Sequence, residues 1–391
     1  MLAPEPYFQS RGTPISVYFR LKALSSMGHE VDLVTYHRGE DRTFPKIDIL
    51  RIPDLFGIRK IKIGPSWAKI PLDFLILLKS VEQLLKKRYD VIFSHEEAAL
   101  IGVCLSKIWS IPHIYDMHSS LPQQLVNFNF STSPMIRNLF NRMERFILKS
   151  SSSVIVICTD LFNQIKEMGF GHKGVLLENF LEFETSPLTE KEVMRPCSDF
   201  QSRPSKIVLY TGNFQTYQGV ELLLEAVPRV NDRHVKFVMV GGTPEAVNRM
   251  KSRASQLKVL PRICFTGQVD PSQIPHFIQR ADVLVSPRVS GTNTPLKIYS
   301  YLKSGKPLVA TDLWTHTQVL DESICVLVKP KPEEMAKGIQ YALFNEEAKK
   351  RAGAAKDMAQ QAYTFPQYKQ KMGQVIKNAF RSQPPRQVKR A

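Results

Sequence analysis

The sequence has no uncharged apolar run of the roughly 18 or more residues needed to cross a bilayer; its strongest stretch, Ile70–Leu78, is short and contains Asp73. No spanning helix is expected. No cationic segment followed by an apolar one opens the chain, so no secretory signal is read and the protein is placed in the cytoplasm. Cysteine is scarce: Cys104, Cys158, Cys197, Cys264 and Cys325 are odd in number, widely spaced and mostly set in apolar strand-like runs. They are expected to be buried reduced thiols rather than bridges or metal ligands. The histidines lack paired ligand spacing and no Asp-x-Asp triplet occurs, so no metal site is read. A Walker-type Gly-x4-Gly-Lys-Ser/Thr run and a Gly-x-Gly-x-x-Gly after the first strand are also missing. Those absences count against an ATPase or a nicotinamide dehydrogenase, and no cofactor is expected.

What the chain has in excess is positive charge, +17 from 53 Lys and Arg against 36 Asp and Glu. A basic surface implies an anionic partner: phosphate, nucleic acid or the anionic face of a membrane. Basic residues cluster at Arg59-Lys60-Ile61-Lys62, at Lys86-Lys87-Arg88 and from Arg381 to Arg390. The first cluster, interleaved with Trp67, Phe74 and aliphatics, is similar to a membrane-surface patch and allows a peripheral position on the inner face of the membrane. A solvated surface with a disordered tail reads equally well. Nucleic acid is not expected, because the aromatic residues do not interleave with Arg and Lys on one sheet face.

Short apolar runs alternate with longer amphipathic stretches throughout, the rhythm of parallel α/β units. In the first half the predicted strands are Met1–Ala3 as a stub, Val31–Thr35, Ile49–Ile52, Val91–Ser94, His113–Asp116, Val154–Ile157 and Val175–Leu177. Predicted helices are Ser16–Met27, Leu72–Lys87, Ala98–Trp109 and Met135–Lys149. From Glu182 to Ser205 the periodicity lapses into linker composition. A second series follows, with strands Ile207–Thr211, Lys236–Val240, Ile263–Thr266, Val283–Ser286, Pro307–Ala310 and Cys325–Val328. Its helices lie near Val220–Arg229, Glu245–Leu257, Pro271–Arg280 and Pro295–Lys303, and Glu333–Phe380 reads as further helices. The fold expected is α/β, two Rossmann-like doubly wound domains facing across a cleft. Residues 1–181 make the first, 182–205 the linker and 206–365 the second, while 366–391 are a helix packing back on the first domain and a basic tail. In such sheets ligands sit beyond the carboxyl ends of the strands.

Those strand ends carry the polar chemistry. After Val283–Ser286 comes Pro287-Arg288-Val289-Ser290-Gly291-Thr292-Asn293-Thr294-Pro295-Leu296-Lys297, with a helix predicted to start at Pro295. Helix-start N–H groups, the dipole, Arg288 and Lys297 together would make an anion site able to take a diphosphate. An ordinary strand-to-helix turn capped by Asn293 or Thr294 remains the alternative. Glycine turns end two further strands, Gly212-Asn213 through Gln218-Gly219 and Gly241-Gly242, where the missing Cβ permits close approach to a ligand. In the first half Gly12 lies between the stub strand and the helix predicted from Ser16, and His95-Glu96-Glu97 and Tyr115-Asp116-Met117-His118-Ser119-Ser120 close strands. There, acceptor recognition and acid/base groups are expected.

The chain resembles the retaining glycosyltransferases of family 4, which have the GT-B fold. The resemblance is carried by Arg11-Gly12-Thr13-Pro14, Leu24-x3-Gly28-His29-Glu30-Val31, Tyr115-x2-His118, Glu178-Asn179 and Tyr210-Thr211-Gly212. It continues through Val240-Gly241-Gly242, Phe265-Thr266-Gly267-Gln268-Val269, Ala281-Asp282-Val283-x2-Ser286-Pro287 and Gly305-Lys306-Pro307. It implies Gly12 beside the donor phosphates, His118 beside the transferred sugar, and Gln268 and Val269 near the base. The family's Glu-x7-Glu pair falls on Thr292 and Ser300, and its phosphate-binding Arg and Lys fall on Asn213 and Gln218. The expectation is that Arg288 and Lys297 replace the lost cations, with hydroxyl bonds from Thr292, Thr294 and Ser300.

The implied activity is metal-independent transfer, with retention, from a nucleotide-sugar (UDP- or GDP-linked) to a hydroxyl acceptor, a glycan or a lipid-linked precursor. Catalytic roles would fall to His118, Arg288 and Lys297, with His95 and Glu96 orienting the acceptor. The rival readings are a nucleotide-sugar 2-epimerase of the same fold and a weakly active binding protein.

Overall fold

The computed structural model describes residues 1–9, 12–55, 57, 58, 61, 66, 69–123, 133–180, 186–193, 195–200 and 206–381. The chain divides into two compact units, Met1–Phe180 with Phe365–Ala391, and Leu181–Thr364. Each is a parallel sheet with helices, and both are Rossmann-like.

The first unit holds β1 (Leu2–Ala3), β2 (Val31–Thr35), β3 (Ile47–Arg51), β4 (Ile92–His95), β5 (His113–Met117), β6 (Ser153–Val156) and β7 (Gly174–Leu176), in spatial order β3-β2-β1-β4-β5-β6-β7. Every pairing is parallel. β4, β5 and β6 are buried along their whole length, and they carry Ser94, His95, His113, Asp116 and Ser153 into the interior among their apolar residues. The helices are α1 (Gly12–Ser26), α2 (Lys69–Lys86), α3 (Ala98–Trp109), α4 (Pro134–Ser150) and α5 (Thr159–Glu167). The C-terminal helix Phe365–Arg381 packs on α1, β5, β6 and β7 through Tyr368, Met372, Val375 and Ala379, a stripe at helical spacing. Sequence periodicity did not show α5, whose apolar face is little more than Leu161 and Ile165.

The second unit has β8 (Ile207–Thr211), β9 (Lys236–Val240), β10 (Ile263–Gly267), β11 (Val283–Ser286), β12 (Leu308–Thr311) and β13 (Val326–Val328), in order β10-β9-β8-β11-β12-β13. The chain runs outward from β8 to β10, then crosses back to β11. The order therefore reverses between β8 and β11, the switch point beside which sheets of this kind take their ligands. Its helices are α6 (Glu190–Val193), α7 (Val220–Ala226), α8 (Pro244–Gln256), α9 (Ile274–Arg280), α10 (Lys297–Ser304), α11 (Trp314–Thr317), α12 (Pro332–Phe344) and α13 (Glu346–Ala362). One core layer contains Val208, Phe237, Met239, Val285 and Ile339; the other contains Leu209, Val238, Leu284, Ile298 and Leu302. Alternate residues of β8 thus feed opposite layers.

Two expectations need correction. Cys197 and Cys264 form a disulfide, with Cα atoms 5.7 Å apart. A 3₁₀ turn at Arg195–Phe200 lays the segment before β8 against β10, bringing together thiols 67 residues apart. Of the others, Cys158 and Cys325 are buried but Cys104 is exposed. The helix predicted from Pro295 starts at Lys297: Ile298 N–H donates to Pro295 O at 3.0 Å, so the first turn is tight, and Leu296 occupies the cap position without a side-chain cap.

Among the described residues no helix is long and apolar enough to cross a membrane. Of the basic clusters, Arg59, Lys60, Lys62, Trp67 and residues 382–390 lie outside the described residues. Lys86 pairs with Glu82, and Lys87 pairs with Asp32 at 3.0 Å.

Candidate functional site

The carboxyl edge of the second sheet is tied together by backbone bonds between successive loops. Gly212 N–H donates to Val240 O at 2.9 Å, Gly241 N–H to Gly267 O at 2.8 Å, and Val289 N–H to Tyr217 O at 3.0 Å. Glycine is required at two of these approaches. A Cβ on Gly241 (φ +116°) would lie 2.1 Å from Gly212 O, and one on Gly219 (φ +70°) 1.8 Å from Pro287 O. These contacts gather Gly212, Asn213, Gln218, Gly241, Gly267 and the 288–297 loop around the crevice between β8 and β11.

Lys297, the first residue of α10, sends its ammonium into this gathering. Nζ lies 3.8 Å from the Tyr210 ring centroid, and 3.2 Å from where a Cβ on Gly212 would stand. It is sealed from solvent with no hydrogen-bond acceptor. Burial, and then repulsion from Arg288, hold its pKa well below the usual lysine value. A buried ammonium without an acceptor is costly unless an anion arrives to pair with it. Gln218 Oε1 and Thr294 Oγ1 are likewise sealed and without partners.

Arg288 is partly committed elsewhere. Its Nη1 donates to Asn293 O and to Thr315 Oγ1 (2.8 Å), and its guanidinium lies 5.0 Å from the Tyr217 ring centroid. It clamps the loop 288–293 closed, and only Nε is left sealed and unbonded. Burial depresses its pKa, opposed by Tyr217 and Tyr210. Gly291 packs against this guanidinium; Thr292 O accepts from Gln318 Nε2, and Asn213 Oδ1 accepts from Gln215 N–H. Pro295 is buried and Leu296 half-buried, and Ser300 stands one turn along α10. Gln268 is exposed just past β10, whereas Val269 packs into the core layer beneath.

Sequence reasoning missed His316. Its Nε2 lies 2.8 Å from Ser286 Oγ and its Nδ1 2.8 Å from Thr311 O, joining the ends of β11 and β12 beneath the loop. Burial pushes it down to about 3, against the bond to Thr311. Only its place at a strand end on the same edge could have signalled it.

In the first unit the register sets His95 of β4 opposite Asp116 of β5. His95 Nδ1 is 3.2 Å from Asp116 Oδ2, and His118 Nε2 is 3.2 Å from Asp116 Oδ1. Arg20 reaches the same carboxylate from α1, Nε to Oδ2 at 2.9 Å and Nη2 to Oδ1 at 3.4 Å, and also donates to Tyr368 Oη. Arg20, Asp116 and His95 are fully buried. Burial alone would raise the Asp116 pKa, but Arg20 and the histidines outweigh it and hold the carboxyl far below the usual range. Burial lowers His95 to about 3, so it is neutral. His95 is sealed beside Asp116, with neither ring nitrogen in a hydrogen bond. Glu96, at φ +47°, accepts from Ser119 Oγ at 3.0 and 3.2 Å, and burial followed by Glu97 raises it to about 7. Gly12 opens α1 with free space where a Cβ would be, and Ser10 and Arg11 lie outside the described residues.

The candidate ligand atoms of His95, Asp116 and His118 lie within 4.8 Å of one another, a spacing a metal ion could use. Arg20 already neutralises the carboxylate such an ion would need, so the donor set fits a guanidinium better than a divalent cation. Arg20 and Tyr368 were not read from sequence. The available signal was an arginine on the apolar face of α1, between Val17 and Leu24.

A family model described as Glycosyltransferase Family 4 matches residues 11–182, and one described as Glycosyl transferases group 1 matches residues 205–345. Phosphatidyl-myo-inositol mannosyltransferase of Mycobacterium tuberculosis is 23% identical over 324 residues, covering 80% of this chain and 78% of that one. Among solved structures, sucrose-phosphate synthase from Thermosynechococcus elongatus superposes with TM-score 0.79 at 18% identity, over 98% of this chain and 99% of that one. HepE from Anabaena, solved in complex with UDP, gives 0.73 at 16% identity over 96% and 99%. The chain is therefore a glycosyltransferase-family protein of the GT-B fold, with a family 4 region in its first unit and a group 1 region in its second.

Proposed function

We propose that the protein transfers a sugar from a nucleotide-sugar to a hydroxyl acceptor, with the donor diphosphate bound at the β8–β11 crevice of the second unit. The observation that supports this reading is Lys297 Nζ, buried without an acceptor, 3.2 Å from where a Cβ on Gly212 would stand. As the acceptor oxygen attacks the anomeric carbon and the diphosphate departs, negative charge grows on the leaving oxygen. A preorganised ammonium in a dry site stabilises that charge without a metal ion. Arg288 contributes its positive field and holds the loop, while the backbone of Gly212 and Gly241 permits close approach. The structure of HepE with UDP supports a uridine donor, with a guanosine donor as the alternative to test.

The resemblance assigns His118 to the transferred sugar and retention to the chemistry, with Glu96 orienting the acceptor. The acceptor we favour is lipid-linked. α4 exposes Met135, Leu139 and Phe146 beside Arg137, Arg142, Arg145 and Lys149, an apolar and cationic face suited to an anionic bilayer.

The test is a thermal-shift and transfer screen across UDP-, GDP- and ADP-sugars, with Lys297→Met as control. Stabilisation by one nucleotide class, lost in the variant, supports the reading. No response to any donor overturns it.

A further inference from the structure

Four polar atoms beside the β8–β11 switch point are sealed from solvent with no hydrogen-bond partner among the described residues: Lys297 Nζ, Arg288 Nε, Gln218 Oε1 and Thr294 Oγ1. The two cations only donate, the threonine hydroxyl can donate or accept, and the amide carbonyl only accepts. The diphosphate of a nucleotide-sugar is an ionised diester and offers acceptor oxygens alone. It can satisfy the cations and Thr294. Set against Gln218 Oε1, it would bring lone pair to lone pair in a dry site. That carbonyl calls for an O–H or N–H, which the diphosphate does not carry, and a buried acceptor left without one is costly.

Gln218 closes the 3₁₀ turn Thr216–Gln218 that follows β8, and both of its chain neighbours tie that turn to the end of β11. Tyr217 O accepts from Val289 N–H at 3.0 Å, and a Cβ on Gly219 would stand 1.8 Å from Pro287 O. Thr294 precedes Lys297 by three residues in the turn leading into α10, and the neighbouring Asn293 O accepts from Arg288 Nη1 and from Thr315 Oγ1. Gln218 is 9% exposed and Thr294 6%. Backbone tied in this way holds both side chains where they are, so their partner comes with a ligand.

From this we propose that Gln218, helped by Thr294, is a specificity-determining residue: its amide accepts from a hydroxyl of the donor beside the diphosphate, while Lys297 holds the phosphate. The proposal rests on the donor reading above. The resemblance expects a phosphate-binding lysine at position 218; the glutamine there gives up a charge and supplies an acceptor. The site therefore holds a bare diphosphate less firmly than a lysine would, and it rejects donors lacking the hydroxyl because they leave the carbonyl unpaired. That hydroxyl can come from the ribose or from the transferred sugar. Gln218 and Thr294 are both tied to the β11 side of the switch point, and the resemblance sets the base at Gln268, past β10, two strands to the other side of β8. A donor laid along that edge presents its sugar half to Gln218.

The experiment titrates the full chain by calorimetry with UDP-glucose and GDP-glucose, their deoxyglucose and deoxyribose counterparts, and inorganic pyrophosphate. The parent chain should bind one deoxy donor at least about tenfold more weakly than the matching full donor. A deoxyglucose loss assigns the hydroxyl to the transferred sugar, and a deoxyribose loss assigns it to the ribose. Gln218→Met, close in volume and apolar, should bring the two donors within about twofold of each other. Gln218→Lys should also lose the preference and bind pyrophosphate at least about tenfold more tightly than the parent. Full and deoxy donors bound alike by the parent, or the preference kept in Gln218→Met, overturns the proposal. So does a lower unfolding midpoint in donor-free Gln218→Met, which would show the amide bonded within the fold; an unchanged or higher midpoint is expected. Failure of this proposal alone leaves UDP- or GDP-glucose bound and the preference missing, whereas a chain that binds no nucleotide-sugar overturns the donor reading itself.

Discussion

Replacing Lys297 by methionine should make the second unit more stable and the protein worse at binding its donor. The ammonium sits sealed without an acceptor, disfavoured first by burial and then by Arg288. Replacing buried ionic groups by apolar side chains of similar volume is often neutral or stabilises by about 1–4 kcal/mol. The Tyr210 ring at 3.8 Å offsets some of this, since a desolvated cation–π contact contributes about 0.5–2 kcal/mol. The net expectation is about 1–2 kcal/mol. For a unit the size of Leu181–Thr364 that is a rise of roughly 2–8 °C in the unfolding midpoint. Binding should move the other way: one charge-assisted bond to phosphate contributes about 1.5–3 kcal/mol, so affinity for a nucleotide-sugar should fall about 10- to 100-fold. Calorimetric unfolding and calorimetric titration on the same preparation measure both. A lower midpoint with unchanged affinity would make Lys297 a structural residue and refute the reasoning.

Three further outcomes can be checked independently. Going from pH 7 to pH 5, His316 binds a proton only when unfolded, because its folded pKa of about 3 lies below its unfolded value, so the second unit should lose about 2 kcal/mol. In the first unit His95 and His113, both at about 3, and the Met1 amino group, lowered to about 5, act the same way, whereas Glu96 and Asp73, both raised to about 7 mainly by burial, gain stability as pH falls. His316→Gln should therefore remove about 2 kcal/mol of the second unit's loss, read by hydrogen exchange, and an unchanged loss in the variant would contradict the assignment. Cys197 and Cys264 close a loop across 67 positions, for which chain entropy predicts about 4 kcal/mol; reduction should lower the second unit's unfolding midpoint, and two free thiols found by mass spectrometry in the unreduced chain would dismiss the bridge. Leu139→Glu with Arg142→Glu should abolish flotation with phosphatidylglycerol vesicles and leave phosphatidylcholine vesicles unaffected, while flotation unchanged by the substitutions would remove α4 as the contact face.

Much of the fold was legible because a parallel sheet writes itself plainly. β2, β8, β9 and β11 coincide with the apolar runs read from sequence, since strands buried on both faces are continuous hydrophobic stretches ended by turn residues. α3 was legible for the related reason that its apolar run ends at Ser110 in the left-handed conformation. What the sequence hid depends on distance in space. Arg20 and Asp116 are 96 positions apart, and Cys197 and Cys264 67 apart; no local pattern encodes either pair. Lys297 could be proposed as a phosphate cation from the chain alone, because a lysine after a strand-end loop is a familiar arrangement. Its being sealed without an acceptor could not, because that follows from how Gly212 and Tyr210 pack around it. Arg288 shows the converse. Its charge made it look equivalent to Lys297, but its bonds to Asn293 O and Thr315 Oγ1 assign much of it to holding the loop.

The most direct test of the donor site is hydrogen exchange of the full chain with and without saturating UDP-glucose. Protection should appear in residues 211–219, 240–243 and 288–298, the loops joined around the β8–β11 crevice, and should vanish in Lys297→Met. Protection confined to other segments, or the same protection in the variant, would contradict the placement of the nucleotide-sugar at that edge of the second sheet.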